Sequence, residues 1–290
     1  MEKRKLLIQL DGDPHPSVFD RVVAYDAGAD EVLSYGGVRP EAVRDLVHGA
    51  IFTRGPKDLH RTALFIGGSN VAAGEALLAE ARKHMLPQFG LRVSVLLDAN
   101  GANTTAAAAV RAAARHLDLK TTQALVLGGT GPVGQRVALL LARQGADVCI
   151  GSRQMSRAAA VVEAIRAKVP DARVEPGDTD WSGDLSSALG DRTLVISAGA
   201  AGVTLLPREA RLDCPTLRVA IDLNAVPPLG IEGVEVTDRG VERDGVIVYG
   251  AVGVGDTKMK IHKAAVARLF ERNDQVLDAE EVYALGEGVV

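Results

Sequence analysis

The stretch Ala124-Leu125-Val126-Leu127-Gly128-Gly129-Thr130-Gly131-Pro132-Val133-Gly134 limits most strongly what this chain can fold into. An apolar strand runs into a glycine turn and then into an amphipathic helix, and Gly129, Gly131 and Gly134 are spaced G-x-G-x-x-G. Three glycines at that spacing permit a tight turn, a backbone that a pyrophosphate can touch, and a helix packed hard on its strand. The rhythm around the motif repeats along most of the sequence. Strands are predicted at Lys5 to Leu10, Ala63 to Ile66, Arg92 to Leu97, Gln123 to Leu127, Asp147 to Ile150, Thr193 to Ser197, Leu217 to Leu223 and Val246 to Tyr249. Helices are predicted at Pro16 to Tyr25, Pro40 to Val47, Asn70 to Lys83, Thr104 to Leu117, Val133 to Gln144, Arg157 to Lys168, Thr257 to Arg272 and Ala279 to Leu285. Short apolar runs alternating with helix-periodic runs predict the α/β class, with a doubly wound parallel sheet.

A chain of 290 residues has room for two domains of about 150 residues each. The polar stretch Asp118 to Thr122 is the predicted boundary, giving a first domain over 1–121, rejoined by helices over 257–290, and a dinucleotide-binding domain over 122–256 with a cleft between them. The glycine-dense run Gly250 to Gly255 is predicted as a turn, with Lys258 in the first turn of the helix that follows.

Lys and Arg number 33 against 37 Asp and Glu, a net charge of −4, and the chain has only one Trp, four Tyr and five Phe. A nucleic-acid partner is not expected, because phosphate binding wants a basic face and single strands want stacking aromatics. Cys149 and Cys214 form neither a disulfide framework nor a chelating cluster, so no metal site and a reducing cytoplasm are expected. The apolar run Leu6 to Leu10 is too short for a signal-peptide core, and no segment approaches the roughly 18 apolar residues that a membrane helix needs.

Exposed amides at a helix start face phosphate favourably, so Gly129, Thr130, Gly131, Pro132, Val133 and Gly134 are the expected dinucleotide cradle. The second strand distinguishes NAD from NADP. An acidic residue at its end accepts from a ribose hydroxyl, whereas a 2′-phosphate wants cations. The sequence there is Ile150-Gly151-Ser152-Arg153-Gln154-Met155-Ser156-Arg157, without a carboxylate. Ser152, Arg153 and Arg157 are therefore expected to hold the 2′-phosphate through charge-assisted bonds, so NADP is the expected cofactor. The alternative is that they are solvated residues of an exposed loop. Ser197 and Ala198, ending one strand in small residues, and Asn224, ending another with an amide free to bond, are candidates for the nicotinamide end, or are simply strand-ending turns.

Several collinear motifs give the chain a wider likeness. They are Pro16-Ser17-Val18-Phe19-Asp20 with Tyr25-Asp26, Phe65-Ile66-Gly67-Gly68, Leu97 to Ala107, Gly129 to Gly134, Asn224-Ala225-Val226-Pro227-Pro228-Leu229-Gly230, and Gly253-Val254-Gly255-Asp256-Thr257-Lys258-Met259-Lys260. Nearly end to end, the chain resembles the NADP-dependent methylene-tetrahydromethanopterin and methylene-tetrahydrofolate dehydrogenases of one-carbon metabolism. The resemblance implies a smaller α/β pterin-binding domain beside the Rossmann-type one, a tetrahydropterin one-carbon carrier in the cleft, hydride transfer to NADP, and a homo-oligomer, trimer or hexamer. It assigns the active-site lysine to Lys258 and brings Asn103, Thr104 and Thr105 to the border of the pterin, although each of the three also reads as a helix cap.

Oxidising a carbon between two nitrogens removes a hydride and leaves a cation that the nitrogens stabilise, so the site has a positioning task and no catalytic triad is required. A bare ammonium at the positive end of a helix would oppose that cation. Lys258 is therefore expected to face the carrier's carbonyl or a carboxylate, for which Asp20 is the candidate. His262 shares the face of Lys258 at i+4 and reads as a substrate contact or as packing. Phe19 offers a flat face for the pterin or fills core. The Tyr-x-x-x-Lys signature of the bifunctional folate dehydrogenase-cyclohydrolases is missing, so cyclohydrolase activity is not expected. A shikimate-type NADP dehydrogenase and a catalytically inactive NADP sensor are the alternatives, since fold does not fix function.

Overall fold

The computed structural model describes residues 2–179 and 185–289. Its strands in chain order are β1 (Leu6–Asp11), β2 (Glu31–Tyr35), β3 (Thr62–Gly67), β4 (Ser94–Leu97), β5 (Gln123–Leu127), β6 (Asp147–Ser152), β7 (Val174–Asp178), β8 (Leu194–Ser197), β9 (Val219–Asp222), β10 (Arg239–Arg243), β11 (Val246–Tyr249) and β12 (Val276–Leu277). Its helices are α1 (Val18–Asp26), α2 (Pro40–Phe52), α3 (Val71–Lys83), α4 (Ala102–Ala114), α5 (Pro132–Arg143), α6 (Met155–Lys168), α7 (Leu185–Leu189), α8 (Arg208–Leu212), α9 (Ala251–Arg268) and α10 (Ala279–Gly286). Residues 1–104 with 259–290 make one compact unit, and residues 105–258 make the other. The divisions fall inside α4 and α9, so neither the polar stretch at 118–122 nor the glycines at 250–255 mark them.

The first unit holds a five-stranded, wholly parallel sheet in the order β12-β4-β3-β1-β2. The order reverses between β1 and β3, which makes the carboxyl ends of those two strands the place where such a sheet receives ligands. Every residue of β3 is buried, as expected of an interior parallel strand with helices on both faces. Local chemistry fixes the helix ends. Ser17 accepts from the Asp20 amide at the start of α1, Asn70 accepts from Ala73 N–H at α3, and Asp278 with Glu281 forms a capping box on α10.

The second unit holds a seven-stranded sheet in the order β10-β11-β9-β8-β5-β6-β7. All neighbours are parallel except β10, which returns antiparallel along β11. Its strand order, with β5 central and the chain winding outward on either side, is the dinucleotide-binding arrangement, whose switch point lies between β5 and β8. Leu125, Val195, Ala220 and Val248, all fully buried, belong to its core.

The expected strands and helices are all present, with ends shifted by a few residues, and four strands were not expected. β7 (Val-Glu-Pro-Gly-Asp) contains both a proline and a glycine, which its edge position tolerates. β2 alternates too weakly, β10 is charged, and β12 has two residues.

Candidate active site

In the second unit the glycine motif spans the end of β5 and the start of α5, and each glycine has a steric reason. Gly128 has φ +68° and a Cβ there would stand 2.6 Å from Gly199 Cα, so the loop after β5 and the loop after β8 touch backbone to backbone at the switch point. A Cβ on Gly129 would stand 2.9 Å from the Val126 carbonyl oxygen, and one on Gly134 would stand 2.5 Å from that of Gly128. Gly131 is the N-cap of α5 and Pro132 its first residue, with no side chain capping the helix. The helix start thus offers amides and the positive end of the dipole to an anion. Thr130, Gly131 and Val133 are half-buried around it, and Pro132 is exposed.

At the end of β6, Ser152 is buried and its hydroxyl accepts from Gln154 N–H at 3.1 Å. It shapes the turn that presents the next residues. Arg153 and Arg157 are exposed, and among the described residues no ion pair involves either. Ser197 is buried at the end of β8, with Ala198 half-buried after it.

The expectation of a free amide at Asn224 is corrected. Its Nδ2 donates to the Pro228 carbonyl at 3.1 Å and its Oδ1 accepts from Val226 N–H at 2.9 Å, so both ends close its own loop. Beneath that loop lies Asp222, whose carboxylate accepts from the amides of Asn224 (3.1 Å) and Ile231 (3.0 Å). Burial pushes the Asp222 carboxyl up, against the pull of these bonds.

Lys258 is half-buried and is the eighth residue of α9, not part of its first turn. Glycines 250 to 255 were expected to form a turn because glycine breaks helices, yet close approach is what they provide. A Cβ on Gly250 would stand 2.0 Å from the Glu235 carbonyl oxygen, and one on Gly253 would stand 1.8 Å from that of Asp238. Val252 N–H donates to the Val236 carbonyl at 2.9 Å, so the segment 235–239 satisfies the helix start that those glycines let in. Lys258 therefore does not stand at a positive helix end, since the dipole effect fades beyond the first turn.

In the first unit a cluster forms where β1 and β3 end. Asp11 is buried and accepts from the amides of Asp13 (2.8 Å) and Ser17 (3.1 Å). Asp13 in turn accepts from the amide and hydroxyl of Ser69, at 2.8 and 2.9 Å. A Cβ on Gly67 would lie 3.4 Å from Asp11 Oδ2 and 3.5 Å from Asp20 Oδ2, so two carboxylates converge over this glycine. Asp20 is largely covered, with its side chain 13% exposed and its Oδ1 4.0 Å from His262 Nε2.

The His262 ring is wholly buried, stacked on Phe65 at 5.7 Å between centroids and tilted against Phe19 at 6.2 Å. Its reading as a substrate contact is corrected to packing behind Asp20. Phe19 is half-exposed. Asn103 and Thr104 are also corrected. Both are buried, with Asn103 Nδ2 donating to the Leu97 carbonyl (2.6 Å) and to Asp278 Oδ1 (2.8 Å), and with Thr104 bonded through its amide (3.0 Å) and hydroxyl (2.7 Å) to Asp98. They join the end of β4 to α4 and α10. Thr105, the first residue of the second unit, is half-buried.

The sequence profile of the N-terminal region of methylene-tetrahydromethanopterin dehydrogenases matches residues 18–100. Over 286 residues the chain is 42% identical to the bifunctional protein MdtA of Methylorubrum extorquens, with 98% of each chain covered. Over an alignment of 303 positions it is 31% identical to the NAD(P)-dependent methylenetetrahydromethanopterin dehydrogenase of the same organism, with 97% of each covered. The chain belongs to the methylene-tetrahydromethanopterin dehydrogenase family. Among solved structures, the shikimate 5-dehydrogenase of Listeria monocytogenes superimposes with a TM-score of 0.58 at 17% identity, covering 99% of this chain and 96% of that one. The 5-ketofructose reductase of a Gluconobacter strain gives 0.56 at 17%, covering 99% of each. At such identities the likeness is one of fold.

Sequence reasoning about this family member missed the Asp11-Gly12-Asp13 and Gly67-Gly68 segments as parts of one cluster. A signal existed: each follows an apolar strand directly, and adjacent strand ends in a parallel sheet are where ligands gather. No helix among the described residues is long and apolar enough to cross a membrane.

Proposed function

We propose that this chain is an NADP-dependent dehydrogenase that oxidises methylene-tetrahydromethanopterin, and methylene-tetrahydrofolate as a second carrier, to the methenyl form by direct hydride transfer. The observation that carries the reading is a fitted glycine cradle at the sheet's switch point in a chain 31% identical, nearly end to end, to a dehydrogenase named for that carrier.

The cofactor fits this cradle because Gly129 and Gly134 let the turn after β5 and the start of α5 pack closely against β5, β6 and each other, which brings the helix start to the sheet's switch point, and the uncapped start of α5 complements a pyrophosphate. When bound, the nicotinamide supplies the hydride acceptor. Gly129, Thr130, Gly131, Pro132, Val133 and Gly134 hold the pyrophosphate, and Arg153 and Arg157 hold the 2′-phosphate, where a carboxylate would oppose it. Ser197 and Ala198 border the nicotinamide end. Asp222 fixes the Asn224 loop beside it through the two amide bonds. On the carrier side, Phe19 and Asp20 take the pterin, Thr105 contacts it, and Lys258 directs its ammonium to the carrier's carbonyl. No proton moves in the chemical step, so these residues bind and orient. We further propose a homo-oligomer, and the cytoplasm as its compartment, the latter supported by two buried free thiols, Cys149 and Cys214.

Initial rates with both methylene carriers and both nicotinamide cofactors test the reading. The highest kcat/KM is expected for methylene-tetrahydromethanopterin with NADP. Turnover of shikimate, or NADP binding without turnover of either carrier, would replace it with one of the alternatives.

A further inference from the structure

Two loops of the second unit, those that follow β8 and β9, are tied to each other through one buried carboxylate and one glycine. Asp222, the last residue of β9, is 1% exposed. Its carboxylate accepts from the amide of Asn224 (3.1 Å) at one end of the loop after β9 and from that of Ile231 (3.0 Å) at the other, with the Gly230 amide and the Ser197 hydroxyl as further donors. Moving any of these donors strands a polar group or part of a charge away from water, so both ends of the loop are held on one group.

Gly230 completes the tie. Its carbonyl accepts from the amides of Leu205 (2.8 Å) and Leu206 (2.9 Å), at the far end of the loop after β8. A Cβ on Gly230 would stand 2.2 Å from Ser197 Oγ and 2.7 Å from Asp222 Oδ1, so only glycine brings its backbone this close to both strand ends. Within the loop after β8, a Cβ on Gly202 would lie 3.7 Å from the Pro227 carbonyl oxygen, and Gly199 already touches Gly128 of the glycine cradle. A line of close approaches thus runs from the cradle, through the loop after β8, to the loop after β9.

At the end of that line is an apolar tip. Ala225, Val226, Pro227 and Pro228 are exposed, while Asn224 and Gly230 on either side of them are buried. Val226 is 52% exposed. It cannot fold inward, because the Asn224 side chain closes the loop from within through the Val226 N–H and the Pro228 carbonyl, and the two prolines fix their own φ angles. A stiff apolar tip at the carboxyl end of a strand next to the switch point suits a flat ring better than it suits water.

Resting on the dehydrogenase reading above, we infer that Asp222 is a positioning residue for the hydride step: together with Gly230 it clamps the loops after β8 and β9 into one rest, whose tip at 225–228 sets the angle of the nicotinamide ring. No bond is made or broken at Asp222. Its effect on rate passes through the placement of the ring, where about 1 Å of error is worth about 10²-fold.

Gly230→Ala and Asp222→Asn test the clamp from its two sides. In each, kcat at saturating carrier and NADP is expected to fall by about 10–10²-fold. The NADPH dissociation constant is expected to stay within a few-fold, since the cradle and the residues facing the 2′-phosphate are untouched. The fluorescence anisotropy of bound NADPH is expected to drop, because the reduced ring moves on a held pyrophosphate. With the carrier deuterated at the methylene carbon, the isotope effect on kcat should reach its intrinsic value as the hydride step becomes limiting. Asn224→Ala opens the tip from the surface and leaves the buried carboxylate in place, so it should give the same pattern at smaller amplitude even where a clamp variant does not fold. A folded clamp variant with wild-type kcat and anisotropy, or one that loses NADPH affinity while kcat at saturation is kept, would overturn the role of Asp222. A wild-type chain that holds NADPH yet turns over neither methylene carrier would overturn the dehydrogenase reading instead, and the anisotropy of the variants would then decide the clamp alone.

Discussion

Two glycines in α9, two residues apart, should respond to the same substitution with opposite signs. Glycine inside a helix is worse than alanine by about 0.5–1 kcal/mol, so propensity alone makes both Gly253→Ala and Gly255→Ala stabilising. The surroundings separate them. A Cβ on Gly255 meets nothing within 4 Å, whereas one on Gly253 would stand 1.8 Å from the Asp238 carbonyl oxygen and 2.8 Å from its carbon. Relief requires the helix start to retreat from 235–239 by more than an ångström. That movement breaks the bonds from Val252 N–H (2.9 Å) and Gly253 N–H (3.4 Å) to the Val236 carbonyl and from Gly250 N–H (2.9 Å) to that of Asp238. Lost bonds at about 1 kcal/mol each and overpacking at about 1–3 kcal/mol outweigh the propensity gain, leaving Gly253→Ala roughly 2–5 kcal/mol less stable. At about 2–4 °C per kcal/mol, scanning calorimetry should show Tm lowered by roughly 5–15 °C for Gly253→Ala and raised by about 2–3 °C for Gly255→Ala. Equal shifts, or a neutral Gly253→Ala, would refute the reading of these glycines as close-approach sites.

Arg153→Glu should raise the NADPH dissociation constant by roughly 10²–10³-fold, from one lost charge-assisted bond and a new like-charge contact, and leave NADH binding within a few-fold. Isothermal titration with both cofactors reads this, and equal losses for both would contradict it. Lys258→Ala should lower kcat/KM for the carrier by roughly 10–10²-fold, one charged bond's worth, with NADPH affinity retained, and full activity would remove Lys258 from the site. Asp244, bonded to Arg208 and the buried Arg211, has its carboxyl pulled from 3.8 down to about 2 by those guanidiniums. A lowered folded value means that its stabilisation is complete above the ordinary carboxylate range and is lost as pH falls toward 2. The urea midpoint should therefore decline from pH 4 to pH 2 in the wild type, and less steeply in Asp244→Asn, which starts lower at pH 7; parallel profiles would contradict the pairing.

Much of the second unit could be read from residue order because its signals are local. An apolar run such as Leu125 to Leu127 buries itself on either face of a sheet, and Gly129, Gly131 and Gly134 carry their steric reasons in their spacing. Readings failed where a residue's role depends on a distant segment. Gly250 and Gly253 look like helix breakers until the carbonyls of Glu235 and Asp238 are beside them. Asn103 looks available for a ligand until Asp278, 175 positions away, accepts its amide. Asn224 is the subtler case, because its partners lie within four residues yet the loop that joins them is held by Asp222. The Asp11 and Gly67 cluster escaped notice for the same reason, since only the β1–β3 pairing brings the two together.

On the proposed function this chain moves a hydride directly from a methylene carrier to NADP. The most direct test is to supply methylene-tetrahydromethanopterin deuterated at the methylene carbon and to analyse the NADPH formed by mass spectrometry and proton NMR. One deuterium per NADPH, at C4 of the nicotinamide and on a single face, is the expected result. Unlabelled NADPH with deuterium released to water, or no NADPH at all, would contradict the account.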